Sequence, residues 1–269
     1  MAHIRFQVAI TLTRPSPQHT VVKSESLFPL LWPWNDAESC RSSMRDSVRT
    51  RSFTSFYLLA TFSILIVIGL GDPRLCDTRV NALICSAAIW PAELFTAPHE
   101  FVLSWFTAPW FMHAADQAIF CTVGFLVFTQ SYECRAGTKN TIILCLGGTI
   151  IAATVVSLGL NLGHMFSPEN EWINEALARS WMGGSVAFYA TIGGLAHFAR
   201  TPWLMIGCTV IFEAWNHFLN GISTATSSAH MIALAFGFLM GLWLHPNGVL
   251  PTESDDDSFT ELKVPHGGG

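Results

Sequence analysis

The sequence predicts an all-α membrane protein, a bundle of six transmembrane helices, and three observations predict it. Hydrophobic residues fill 51% of the 269 positions and charged residues only 12%, about half the charged share of an ordinary soluble domain. Apolar runs recur at 53–71, 111–130, 141–162, 181–197, 203–218 and 229–244. Several are shorter than the roughly 20 residues of a comfortable span, but their regular spacing fits one compact bundle. The basic residues are also asymmetric. With the N-terminus in the cytoplasm, the inner side receives Arg41, Arg45, Arg49, Arg51, Arg135, Lys139 and Arg200, against Arg74, Arg79 and Arg179 outside. That bias predicts cytoplasmic N- and C-termini.

Residues 1–52 are polar, with no helical or strand period, and lack the apolar stretch and cleavage site of a signal peptide. They are expected to be disordered, and Met44, just ahead of the first span, is an alternative start. The membrane domain is expected over 53–245, followed by an acidic disordered tail over 246–269. The net charge of −5 comes largely from Glu253 and Asp255–Asp257 in that tail, and no basic stripe for nucleic acid is present.

The first span ends in Gly69-Leu70-Gly71-Asp72, a superficial match to intramembrane aspartyl proteases. That chemistry needs a second membrane carboxylate sharing a proton with the first. Asp116 is the only other candidate and has no tyrosine beside it, so Asp72 is read as a helix stop before Pro73. Residues 72–110 carry Trp90, Phe95, Phe101, Trp105 and Trp110, an aromatic density that belongs at a membrane–water interface. Short interfacial helices are expected there, because an unstructured loop of about forty residues is rare in a compact domain. No C-x-x-C spacing suggests a metal. Cys121, Cys145 and Cys208 read as small core residues, and the shared loop position of Cys76 and Cys85 reads as chance rather than as a disulfide.

The second span opens with His113 and ends at Tyr132–Gly137; the third ends near Asn161 and Gly163. The fifth carries Glu213 and His217 at i, i+4, a metal-compatible spacing. With only two ligands visible, an ion pair between them is the preferred reading.

The fourth and sixth spans carry the chemistry. Gly183, Gly184, Ala187, Ala190, Gly193 and Gly194 thin the surface of the fourth. Ala229, Ala233, Gly237 and Gly241 form a four-residue repeat on the sixth. Such faces let helix backbones approach closely. Even-numbered spans all begin at the outer face, so His113, Ser185 and His230 are expected within about one ~5.4 Å turn of those beginnings, at similar shallow depth. An intramembrane histidine is costly without a partner or a task. A serine at the same depth makes the pair a candidate nucleophile and base.

These residues resemble the rhomboid family of intramembrane serine proteases. Gly183-Gly184-Ser185, with Tyr189 one turn on, resembles its G-x-S-G helix, and Ala229-His230 with Gly237 and Gly241 resembles its AHxxG helix. Glu133-Cys134-Arg135-Ala136-Gly137 resembles its ExRxG motif, and His113 the first histidine of H-x4-H-x3-N. The resemblance covers about residues 53–245. It implies Ser185 as nucleophile, His230 as base and Tyr189 packing on the imidazole, with Gly183 of the G-x-S-G match as a supporting residue. No cofactor or metal is implied, and the implied substrates are single-span membrane proteins in the bilayer, cut near their outer ends.

The sequence departs from the family where the second histidine and the asparagine would fall, at Ala118 and Thr122; it also has Val186 after the nucleophile and no Trp-Arg pair in the first loop. Since those side chains help hold the oxyanion, a slow enzyme is expected, with Thr122 or His113 as replacement donor. The alternative is an inactive relative that binds membrane helices.

Overall fold

The computed structural model describes residues 51–71, 79–199 and 201–245, of which 83% are helical and none lie in strands. Ten α-helices follow in order: α1 (Ser52–Ile68), α2 (Arg79–Ala87), α3 (Glu93–Thr96), α4 (Pro98–Thr107), α5 (Ala115–Gly124), α6 (Gln130–Phe166), α7 (Glu171–Leu177), α8 (Ser185–Phe198), α9 (Pro202–Asn220) and α10 (Thr224–Leu244). A π-helical segment, Phe125–Thr129, joins α5 to α6. Two stretches among the described residues, Ala115–Phe166 and Thr224–Leu244, are long and apolar enough to cross a membrane, and α1 is a shorter apolar helix. Of the disorder expected over 1–52, the described residues correct the end, since Arg51 is buried and Ser52 begins α1. Residues 1–50, the tail beyond 245, the alternative start at Met44 and Asp72 lie outside the described residues.

The chain reverses inside α6. Gly137 sits at φ 80°, ψ 161° within the helix, a backbone region that favours glycine. A straight helix would hold Tyr132 and Leu144 ~18 Å apart, yet both side chains lie against Gly194 of α8. Around that reversal the helices alternate in direction. Tyr57 stacks on Phe125 while Thr54 bonds Glu133, so α1 runs against the segment from α5 to Gly137. Gly124 meets Phe188, Thr129 bonds Thr191 and Tyr132 meets Gly194, so that same segment runs parallel to α8.

Helices α8 and α10 also run parallel and touch backbone to backbone. A Cβ on Gly237 would lie 1.8 Å from the Ala190 carbonyl oxygen, and one on Gly193 would lie 2.1 Å from that of Leu234. Alanine or larger cannot occupy either place at this separation. All of α8 except His197 is buried, so it forms the axis of the core.

Residues 79–110 fold into short helices, as the aromatic loop was expected to do. Three further expectations are corrected, the first being Cys208, which is exposed rather than a core residue. Cys85 is disulfide-bonded, where the sequence reading took its place as chance. Helix α10 begins at Thr224, five residues before the apolar run: Ser223 caps it by accepting from Thr226 N–H. His230 therefore stands ~9 Å along its helix, not within its first turn.

Candidate active site

Ser185 sits where the chain turns into α8, and its approach is pinned from three sides. Ile89 and Trp181 exchange two backbone hydrogen bonds (2.9 and 3.0 Å), and Gly183 N–H donates to the Ala108 carbonyl at 2.9 Å. Gln117 Nε2–H donates to the Met182 carbonyl at 2.6 Å. Gly183 adopts φ +99°, which a side chain would strain. Gly184 has no room for one, since a Cβ would lie 2.0 Å from the Tyr57 hydroxyl. Ser185 is then the first residue of α8, buried to 7% exposure, at a helix start whose first N–H groups have no carbonyl partner a turn earlier within the helix.

His230 reaches this serine from α10. The Ser185 hydroxyl lies 2.9 Å from His230 Nε2, and His230 Nδ1 lies 2.9 Å from Glu213 Oε1 on α9. Tyr189, one turn along α8 from the serine, stacks on the imidazole at 4.2 Å between centroids and 4° between planes. Its hydroxyl donates to the other Glu213 oxygen, Oε2, at 2.5 Å. Both His230 and Glu213 are 2% exposed. Three helices thus converge on one connected set of buried polar groups.

Glu213 corrects the sequence reading of the fifth span. It does not pair with His217, whose Nδ1 instead contacts the Ile222 carbonyl at 2.7 Å, and among the described residues no group of three His, Cys, Asp or Glu side chains could hold a metal. The i, i+4 spacing placed both residues on one helix face and concealed that the carboxylate looks across to α10. A lone carboxylate in an apolar run was the signal that could have found it.

The remaining positions are arranged as follows. Thr122 donates its hydroxyl to the Ala118 carbonyl of its own helix at 2.7 Å. The His113 side chain is exposed, while its backbone N–H donates to Gln117 Oε1 at 2.9 Å. The α5 residues facing the serine turn are Gln117, whose Nε2 would meet a Cβ on Gly183 at 2.6 Å, and Cys121, whose sulfur faces the backbone N–H groups of Gly184 and Ser185. Both lie one residue before the positions, 118 and 122, at which the family donors were sought.

No family model matches the chain, and no curated protein or solved structure matches it.

Proposed function

We propose that the chain is a rhomboid-like intramembrane serine endopeptidase, its six apolar segments crossing the bilayer with both termini cytoplasmic, that cuts single-span membrane proteins near their outer ends. One observation carries this: Ser185 Oγ and His230 Nε2 lie 2.9 Å apart on two helices joined by small residues, the separation a nucleophile and its general base require. Exposed Phe56, Ile66, Val67, Trp203, Ile211, Trp215, Phe218 and Trp243 on the outer faces of α1, α9 and α10 support a lipid environment, since soluble monomers do not present apolar surface on that scale.

In this reading His230 Nε2 takes the hydroxyl proton as Ser185 Oγ bonds to the scissile carbonyl carbon, whose π electrons move to oxygen. The C–N bond then breaks, the leaving amine takes the proton from Nε2, and water releases the acyl group by the same exchange in reverse. The backbone N–H of Ser185 supplies one oxyanion donor. Each absent donor costs roughly 10²–10³ in rate, so turnover is slow.

Full-length protein reconstituted into lipid vesicles with a panel of single-span substrates tests this. Wild type is expected to release an N-terminal fragment that the Ser185→Ala protein does not. Equal fragment from both proteins would overturn the proposal.

A further inference from the structure

We propose that Glu213 is a positioning residue that makes the site a relay of three side chains, Ser185–His230–Glu213, where the sequence motifs describe only a serine and a histidine. This rests on the serine-endopeptidase reading. The bonding pattern is the first argument. For Nε2 to accept the serine proton, the imidazole must carry its own proton on Nδ1, and a carboxylate oxygen 2.9 Å from Nδ1 selects that tautomer. Burial is the second. An ionised carboxylate at 2% exposure is costly unless its oxygens are met by donors. Here Oε1 faces the imidazole Nδ1–H and Oε2 accepts from Tyr189. Helix α9 gains nothing in packing from a carboxylate there, because its other buried side chains are only Met205 and Asn216.

The imidazole is also held both within its ring plane and out of it. The carboxylate restrains rotation within the ring plane, and the Tyr189 ring, parallel to within 4°, restrains motion out of it. When the serine attacks, its proton moves to Nε2 and Glu213 keeps the Nδ1–H bond without taking the proton, so the new imidazolium lies against a negative charge. The groups facing the Glu213 carboxylate are His230 and Ser227 from α10 and Tyr189 from α8. His217, one turn along α9, has its Nδ1 engaged by Ile222.

The test is the rate at which a fluorophosphonate labels the reconstituted full-length chain, measured against pH. Labelling forms an Oγ–P bond, expels fluoride and passes the serine proton to His230. Glu213→Gln keeps the volume but turns an amide N–H toward Nδ1, favouring the unproductive tautomer. It is expected to slow labelling about 10³–10⁴-fold, and its residual rate should keep rising with pH where wild type levels off. Glu213→Asp should recover at least tenfold of that loss, which a merely structural role would not produce. A folded Glu213→Gln protein labelling within threefold of wild type, with the same pH profile, would overturn this inference and leave the serine–histidine reading standing. Failure of wild type itself to label would remove both. The ¹⁵N spectrum of histidine-labelled wild type needs no variant: the His230 proton is expected on Nδ1, and a proton on Nε2 would contradict the relay.

Discussion

Tyr189 performs two tasks with two parts of one side chain: its ring stacks on His230 and its hydroxyl bonds Glu213. Tyr189→Phe separates them, keeping the stack and leaving Oε2 without its donor. A hydrogen bond to a charged group is worth about 1.5–3 kcal/mol, so this variant should unfold at lower temperature and label with fluorophosphonate about tenfold more slowly. Unchanged stability and rate would show that the hydroxyl is a bystander. Ser185 and His230 were legible in the sequence as a serine and a histidine near the starts of two small-residue helices, and Tyr189 through its place one turn after the serine in the rhomboid resemblance. Glu213 was misread because helix periodicity reports which residues share a face, not which neighbouring helix that face meets. Gln117 and Cys121 were missed for a related reason: counting from His113 led to positions 118 and 122, one residue past the face that α5 turns toward Gly183 and Ser185.

Helices α8 and α10 hold Ser185 and His230 together through contacts that admit no side chain. Gly237→Ala would place a methyl group 1.8 Å from the Ala190 carbonyl oxygen, which cannot move without shifting its helix. Overpacking of this kind costs about 1–3 kcal/mol and drives the helices apart, so Ser185 labelling should fall at least tenfold. Gly159→Ala is the matched control. It is helical and exposed, with nothing within 4 Å of the added Cβ, so stability should be unchanged or rise by up to about 1 kcal/mol. Thermal unfolding and labelling of both proteins check the contrast, and equal losses would mean that the close approach is not what positions the site. The four-residue repeat made the α10 face legible in advance. Its true start was not, because Thr224, Thr226, Ser227 and Ser228 read as loop in hydropathy, whereas Ser223 caps them into the helix.

Across the whole molecule, Glu133 links the first helix to the reversal at Gly137. One carboxylate oxygen accepts from Phe53 N–H and the Thr138 hydroxyl, the other from Thr54 N–H and its hydroxyl. Glu133→Ala leaves those donors unmet at a cost of about 1–3 kcal/mol each. The expected result is loss of the docked first helix, seen as protease cleavage within 52–68 of a chain that wild type protects. The helical, apolar character was legible because a chain this poor in charge must shield its apolar runs, and two of the described stretches are long and apolar enough to cross a membrane. The reversal was not, since Gly137 interrupts no hydropathy pattern. All of these elements converge on Ser185 being activated by His230, and intact-mass measurement after fluorophosphonate treatment of the reconstituted full-length chain decides whether it is. One adduct per chain is expected, mapping to Ser185 and absent from the His230→Ala protein. No adduct on folded wild type, or an adduct that survives His230→Ala at the same rate, would contradict the account.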